Sequence, residues 1–451
     1  MHLIGVGGAG MRNLARLFLA RGVAVTGSDL KDSRGLGELT ERGAEVWVGH
    51  DDARLGTPDV VVISSAIAER NPELVAARDR GVEVWARQQA VAAFAAGHRA
   101  IAVAGTHGKT TTTSLLAVIL EQAGADPTYL IGGDLNESGS GARSGSGDVF
   151  VFEADESDGS FLLARPSVGV VTNVDVDHVD FYPGGREEIE RAFAAFMARC
   201  DHVVTCGDDA GARAALAASG VAAMTYGVGP DHDLTVTPQH LGPDGARGVL
   251  RMPGGAEVVL SLRVDGVHNL LNAAAAVGSA SLVGVDPTVA ADALSTFAGV
   301  HRRFEFRGQA RGAEFFDDYG HTPTEMAVTL QTARRRTPER LVALVQPHRY
   351  TRVQSLWREL GASLTEADLI VITDVYGAAQ DPIPGVTGEL VADGVRAADP
   401  RADVVYLPHR HEVLDYLDRE VRPGDLVVTM GCGDVWMLGD AALQRLRELD
   451  R

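Results

Sequence analysis

The sequence predicts an α/β protein of three domains, each built on a mainly parallel sheet, and three observations predict it. Short apolar runs alternate with amphipathic stretches along most of the 451 residues, which is the pattern of doubly wound sheets. Two strand-to-helix passages turn through glycines, Gly5-Val6-Gly7-Gly8-Ala9-Gly10 and Gly105-Thr106-His107-Gly108-Lys109-Thr110. At this length, with 45% hydrophobic residues, the chain can bury several cores rather than one. The expected domains are 1–97, Rossmann-like; 98–299, a central P-loop ATPase-like domain with an added antiparallel hairpin region; and 300–451, doubly wound again.

In the first domain HLIGV, VAVTGSD, DVVVISSAI and GVEVW read as strands, with a helix opening at Gly10. The first turn fits G-x-G-x-x-G, and Asp29 ends the second strand about 20 residues on, where a ribose-binding acid stands in dinucleotide folds. Gly7, Gly8, Gly10 and Asp29 are therefore candidate contacts to a ligand with a diphosphate. A nicotinamide dinucleotide and a nucleoside-diphosphate sugar both satisfy the motif, because it reports only an anion at a helix N-terminus.

The second domain opens with the strand Ile101 to Ala104, a loop from Gly105 to Gly108 and a helix from Thr110 to Ala123, with Gly124 as its C-cap signal. Such a turn aims successive N–H groups at one spot, with Lys109 and the Thr110 hydroxyl placed to meet a phosphate and its magnesium. Of 41 basic residues only Lys31 and Lys109 are lysines, so a lysine at this position stands out against the composition. The general P-loop pattern would have glycine at 103, where Val103 stands, so Gly105 and Gly108 carry the turn.

Downstream, Leu130 to Gly147 is a glycine- and serine-rich loop able to close over a ligand. The strand Val149 to Phe152 runs into EADESD, and the strand Val168 to Val171 runs into TNVDVDHVD. Strand C-terminal ends are where open α/β sheets bind ligands, so Glu153, Glu156, Asp158, Asp177, His178 and Asp180 are candidates for holding magnesium against ATP phosphates. Helix caps and solvated acids are expected among them. Short alternating runs over 230–265, broken at Pro243-Asp244-Gly245 and Pro253-Gly254-Gly255, read as hairpins. The following helix carries Asn269 and Asn272 three apart on one face, a pair able to bond an adenine edge or to act as caps.

The third domain alternates LVALVQ, LIVITDV, ADVVYLP and DLVVTMG with helical stretches. Its loops carry Arg302, Arg303 and Phe304; Asp317, Asp318, Tyr319 and His321; and His348, Arg349 and Arg352. Arg349 and Arg352, three apart at an incipient helix, have a spacing that lets both reach one carboxylate.

A net charge of −20 argues against non-specific nucleic-acid or anionic-membrane partners, which need a basic field. The first strand begins at His2, and no apolar run reaches the ~18 residues of a membrane span, so a cytoplasmic protein is expected. Cys200, Cys206 and Cys432 form no C-x-x-C pair and are too few for a disulfide framework.

In order along the chain stand GVGGAGM, AGTHGKTTT, EADESDGSF, NVDVDHVD, HNLLNA, RRFE, DDYGH and QPHRYTR. Together they resemble the Mur ligases over nearly the whole chain, and GVGGAGM, EADESDGSFL and QPHRYTR resemble the members that add alanine. Thr322 departs from those members, which usually carry a second histidine after His321.

The resemblance implies an ATP- and magnesium-dependent ligase joining L-alanine to the lactyl carboxylate of UDP-N-acetylmuramate through an acyl phosphate, or a ligase recycling a murein peptide onto that sugar. It also implies roles. Gly105, Thr106, His107, Gly108, Lys109, Thr110 and Thr111 would hold the phosphates, and Thr110, Glu153 and His178 the metal, with Glu153 preferred to Glu156 because it ends the strand. Asn269 and Asn272 would contact adenine, and Arg303 and Asp318 the nucleotide. The turn from Gly5 to Gly10 would take the uridine diphosphate, and Tyr319, His321, His348, Arg349 and Arg352 the alanine. Some relatives support their second magnesium with a carbamylated lysine, for which this chain has no spare lysine. A monomer or homodimer is expected.

Overall fold

The computed structural model describes residues 1–64, 67–132, 140–178, 181–378 and 380–449. Asp180 and part of the loop 130–147 lie outside them. Five short strands, His2–Ile4 (β1), Thr26–Asp29 (β2), Glu45–Val48 (β3), Val60–Ile63 (β4) and Glu83–Ala86 (β5), pair in parallel in the order β3-β2-β1-β4-β5. The order reverses at β1, which puts the first glycine turn at the switch point of the sheet. Helix Ala9–Ala20 (α1) leaves that turn, and helix Arg87–Ala95 (α2) follows β5.

A ten-stranded sheet comes next, made of Arg99–Ala104 (β6), Thr128–Leu130 (β7), Ala142–Arg143 (β8), Val149–Glu153 (β9), Val168–Val171 (β10), His202–Cys206 (β11), Met224–Gly227 (β12), Leu234–Gly242 (β13), Gly245–Arg251 (β14) and Glu257–Leu262 (β15). Its order is β15-β14-β13-β12-β11-β10-β6-β9-β7-β8. Residues Ala100 to Ala104 of β6 are all buried, as a small-apolar strand in the middle of a parallel sheet requires. From β13 to β15 the pairing is antiparallel, and the β14–β15 turn uses Gly254 and Gly255 at φ +86° and +88°.

Helix Lys109–Gln122 (α3) follows β6, and helix Val267–Leu282 (α4) packs along it, its alanine-rich turn Ala273 to Val277 buried in the same core as Leu115 to Leu120 of α3. Helix α3 starts one residue before the sequence-predicted Thr110. Its cap residue is Ala123, with Gly124 just beyond at φ +73°, the left-handed position that favours glycine after a helix.

The first two sheets belong to one compact unit, Met1–Val300. Their cores are continuous, because Leu3, Val6 and Leu14 share a cluster with Phe150, Phe152 and Phe161. Phe94 on α2 sits 5.1 Å from Phe150, ring centre to ring centre, so residue 97 divides two sheets but not two cores.

The other unit, His301–Arg451, holds six strands: Glu305–Ala310 (β16), Ala313–Asp318 (β17), Arg340–Val345 (β18), Leu369–Ile372 (β19), Val404–Tyr406 (β20) and Asp425–Met430 (β21), in the order β16-β17-β21-β18-β19-β20. Only β16 runs antiparallel to its neighbour. Every residue of β21 is buried, as expected of an inner strand covered on both faces.

Helix Pro323–Arg334 (α5) follows β17, and helix Tyr350–Ser363 (α6) follows β18. Thr322 caps α5. Its hydroxyl accepts the Glu325 N–H at 3.3 Å, while a Glu325 carboxylate oxygen accepts the Thr322 N–H at 3.3 Å, a capping box followed by proline at the first helical position. The residue that departs from the alanine-adding pattern thus has a helix to start.

Candidate functional site

At the end of β6 the chain turns through Gly105 (φ +136°) and Gly108 (φ +82°) into the N-terminus of α3. Any larger residue fails at both: a Cβ on Gly105 would lie 2.0 Å from Thr172 Oγ1, and one on Gly108 would lie 2.8 Å from Asn272 Oδ1. The loop between them is held by the segment after β10. Asn173 accepts the His107 N–H at 2.8 Å and donates to the His107 carbonyl at 2.9 Å, and the Thr106 N–H reaches the Asn173 carbonyl at 3.2 Å. Thr110 and Thr111 open the helix whose first N–H groups face the loop, a ready anion site. Asn173, which clamps the cradle together with Thr172, was not singled out from sequence; its signal was its place two residues after a buried strand.

Lys109 Nζ donates to both Glu156 oxygens at 2.9 Å. His178 Nε2 is 4.0 Å from Glu156 Oε1 and 3.5 Å from Asp177 Oδ2, and the His178 backbone is left-handed at φ +51°. A non-glycine residue held there marks a locally over-determined segment, as functional loops often are. Burial pulls the Lys109 ammonium down, but Glu156, Asp155 and Glu153 outweigh it, so its pKa lies above the ordinary lysine value. Burial also raises the Glu156 carboxyl, against the pull of Lys109.

Glu153, the last residue of β9, accepts the Gly132 N–H at 2.7 Å. Strand position ranked Glu153 first, yet the turn after β9 returns Glu156 to Lys109 and His178. Asp158 caps a short turn through the Ser160 N–H at 3.0 Å.

Of the paired asparagines, Asn272 lies against Gly108, while Asn269 spends its amide N–H on the Asp265 carbonyl at 2.7 Å. At the first glycine turn Asp29 accepts the Gly7 N–H at 2.9 Å, so the expected ribose-binding acid also braces the turn. Gly8 caps α1, and a Cβ on Gly10 would meet Arg87 Nη1 at 3.2 Å. Arg87, first residue of α2, also donates to Asp155 at 3.2 Å. It links the first glycine turn to the acidic loop, and sequence reading passed over it although it follows the C-terminal end of β5. Burial raises the Asp155 carboxyl, but Arg87 and Lys109 dominate and hold it at about 2.

In the second unit, the residues read from sequence gather at the C-terminal ends of the neighbouring strands β17, β21 and β18. Asp318 accepts the Phe304 N–H at 2.8 Å on one oxygen, and the Gly320 N–H at 2.8 Å and the Thr329 hydroxyl at 3.0 Å on the other. Burial raises its carboxyl above the usual range. Its work within this unit is to position the 302–304 loop against the turn at Gly320. Arg303 lies over the Tyr319 ring at 5.2 Å and 3.6 Å from Glu325. Arg302, from the other side of the sequence pair, binds Asp317 at 2.8 Å and the Gly431 carbonyl at 2.6 Å.

Arg349 is the cap residue of α6 at φ +63°, its N–H on the Tyr376 carbonyl at 2.8 Å. Arg352, 5% exposed, donates to His348 Nδ1 at 2.9 Å. The His321 and His348 rings meet edge to face at 5.4 Å, and His348 stacks on Tyr376 at 5.9 Å. Cys432, in the loop after β21, joins this group. No helix among the described residues is long and apolar enough to cross a membrane.

A glycine cradle at a helix N-terminus, with its lysine and hydroxyl residues and a facing acidic loop, defines a nucleotide-phosphate-binding α/β protein. Family models match along the chain: the Mur ligase family catalytic domain at residues 1–99, the Mur ligase middle domain at 103–280 and the Mur ligase glutamate ligase domain at 302–433. The chain belongs to the Mur ligase family. It is 45% identical, over 99% of its length and 96% of the relative's, to a UDP-N-acetylmuramate–L-alanine ligase of Thermobifida fusca. It is 46% identical, over 99% and 96%, to one of Kineococcus radiotolerans. Among solved structures it is similar to a UDP-N-acetylmuramate-alanine ligase of Thermotoga maritima, with TM-score 0.83 and 27% identity over 99% of both chains. It is also similar to a murein peptide ligase of Psychrobacter arcticus, with TM-score 0.75 and 26% identity over 99% of this chain and 98% of that one.

Proposed function

We propose that the chain is an ATP-dependent carboxylate–amine ligase that joins L-alanine to the lactyl carboxylate of UDP-N-acetylmuramate, an early cytoplasmic step of bacterial peptidoglycan synthesis. One observation carries the chemistry: the glycine cradle at Gly105–Gly108 opens α3 with Lys109 beside Glu156 and His178. The names of the relatives at 45% and 46% identity support the choice of substrates.

A carboxylate does not condense with an amine in water without activation. The lactyl carboxylate attacks the γ-phosphorus of ATP, the bond to the β-phosphate oxygen breaks and ADP leaves, giving an acyl phosphate. The amine of alanine, freed of its ammonium proton, then attacks the carbonyl carbon, inorganic phosphate leaves and a second proton goes to solvent as the amide forms. Phosphoryl transfer asks for alignment and charge neutralisation more than for covalent help. Gly105 to Thr111 form the phosphate cradle, with the N–H groups at the start of α3 facing the phosphates while Asn173 holds those of Thr106 and His107, and Lys109, kept charged by its acidic neighbours, neutralises the β- and γ-oxygens. Thr110, Glu153 and His178 would hold magnesium: the hydroxyl and the strand-end carboxylate are the oxygen ligands a hard cation takes, and a set with only one imidazole leaves room for the several waters it keeps. Bound there, magnesium supplies charge neutralisation to the transferring phosphoryl group.

Asn272, packed on Gly108, and Asn269 serve the adenine. Gly7, Gly8, Gly10 and Asp29 serve the uridine diphosphate. Residues 1–97 thus take the sugar nucleotide, 98–299 the ATP and 300–451 the amino acid, in a monomer or homodimer. On the amino-acid side Arg349 and Arg352 hold the alanine carboxylate so that its amine points away, with Tyr319, His321 and His348 around them. The test is phosphate release from ATP with UDP-N-acetylmuramate and a panel of L-alanine, L-serine, glycine and a murein tripeptide. The expected result is the highest kcat/KM with L-alanine. Release with the tripeptide alone, or with no amine at all, overturns the reading.

A further inference from the structure

The second unit carries a group of side chains that the ligase reaction does not require as a set. His321 follows β17, Cys432 follows β21 and His348 follows β18, and these strands are neighbours in that order within the parallel sheet. One ligand atom from each lies within 4.8 Å of the others, and all three residues are partly exposed. Cysteine stands in the glycine loop Gly431-Cys432-Gly433, and among the described residues it is not in a disulfide.

We propose that His321, Cys432 and His348 bind a soft divalent transition metal, Zn2+ in the first instance, with a fourth position open. Thiolate and imidazole donors select zinc over magnesium or calcium, which take oxygen ligands. Bonds of about 2.0–2.3 Å place ligands of a tetrahedral zinc ~3.3–3.7 Å apart, so side-chain rotations of about an ångström close this set. His321 is already oriented for the task. Its Nδ1 donates to the Tyr319 carbonyl at 3.1 Å, which leaves the ring's lone pair on Nε2, the outer contact that metal-binding histidines commonly make. Partial exposure gives the ion a way in.

On binding, the Cys432 thiol gives its proton to solvent as the sulfur–zinc bond forms, with no change of oxidation state. Arg352 Nη1, 2.9 Å from His348 Nδ1, competes with the metal there, while Glu325, 3.5 Å from His321 Nδ1, offsets its charge. The ion is therefore exchangeable rather than a permanent part of the fold. The same histidines and Arg352 stand in the proposed alanine site, so zinc and L-alanine exclude each other; that clause rests on the function proposed above.

Equilibrium dialysis of the full chain against Zn2+, and absorbance of the Co2+-loaded chain, test the site without any turnover. One equivalent of metal and a cobalt–thiolate charge-transfer band are expected. Cys432→Ala and His321→Ala should each weaken zinc by more than the ~10–100-fold typical of losing an outer-shell partner. Cys432→Ala should retain ligase activity and lose inhibition by zinc, with Cys432→Ser as the second variant should alanine disturb the loop. A cobalt spectrum without the thiolate band, or zinc affinity in both Cys432 variants within about threefold of the parent, overturns the metal site. Metal bound as expected, but with an L-alanine KM indifferent to zinc, supports the metal site and overturns the placement of alanine.

Discussion

Arg352 is a cation with little solvent around it, held on His348 by one of its own donors. A planar fork that takes a carboxylate bidentately is what a zwitterionic amino acid needs, and a charge-assisted hydrogen bond contributes about 1.5–3 kcal/mol. Arg352→Ala should therefore raise the KM for L-alanine by about tenfold to a hundredfold and leave those for ATP and the sugar nucleotide within about threefold. Arg352→Lys should recover little, because a point charge cannot reproduce the fork. Steady-state kinetics varying one substrate at a time checks both, and an unmoved L-alanine KM would place the carboxylate elsewhere.

The spacing of Arg349 and Arg352 was legible in the sequence; the role of His348 as acceptor for Arg352 was not, since it depends on side-chain direction in the first turn of α6. Glu156 shows the same limit. Residue order ranks the strand-end Glu153 first, and only the path of the turn brings Glu156 to Lys109.

A second residue pair bears on pH. His301 Nδ1 lies 2.7 Å from Glu305, whose hydrogen bond raises the histidine above its ordinary value. Burial raises Glu305, but His301, the Arg302 N–H and Arg307 dominate and hold it at about 2. A raised histidine stabilises fully below its unfolded value of 6.5 and loses that contribution as pH climbs through the folded value. A depressed carboxylate contributes above 4.5 and loses it as pH falls toward about 2. The pair is thus worth most near pH ~6. The ring is nearly half exposed, so solvent screens it, and His301→Gln should lower Tm by only about 1–3 °C there, with the gap closing as pH climbs through the raised histidine value. A gap that stays constant from pH ~5 to ~9 would remove the ion pair as its cause.

Among the elements, the strands were the most legible and the contacts between them the least. The run Val168–Val171 is a strand to the residue, and the hairpins expected over 230–265 are β13 to β15. Apolar periodicity is a local signal, which is why it succeeds there. The order of ten strands and the clamp of Asn173 on His107 join residues 66 apart in sequence, and no local pattern encodes them.

Helix α5 shows the opposite case, a local rule hidden behind a family pattern. Thr322 looked like a departure in substrate recognition, yet T-P-T-E is itself a capping-box sequence. Thr322→Ala should cost about 1 kcal/mol, within a range of roughly 0.5–2. In a unit of this size that is a fall of ~2–4 °C in its unfolding transition. Thr322→Ser should stay near the parent in a thermal scan, and an unchanged Tm for Thr322→Ala would show that the cap contributes nothing.

At the scale of the whole chain, lysine is nearly absent. Lys109 is committed to Glu156 and the cradle, and Lys31 stands exposed after β2. A metal supported by a carbamylated lysine therefore has no residue to use, and turnover should not depend on dissolved carbon dioxide. Activity that drops on rigorous removal of carbon dioxide and returns with bicarbonate would contradict this. The alternation of strands and helices that makes three mainly parallel sheets was legible in the sequence, but the shared core of the first two sheets was not, because Phe94 and Phe150 meet across a boundary that sequence marks only as a change of sheet.

The same scarcity makes the chain an unusually simple substrate for a lysine-directed protease. Such an enzyme has two possible cuts, after Lys31 on the surface and after Lys109 inside the first unit. Cleavage needs an extended, accessible backbone, which the start of α3 does not offer while it is folded. The native chain should be nicked after Lys31, and the second cut should appear only at the rate at which the core around β6 opens. ATP, by holding that opening shut, should delay the second cut and leave the first untouched. A pair of gel bands thus times the unfolding of the nucleotide-binding core, with no label and no engineered site.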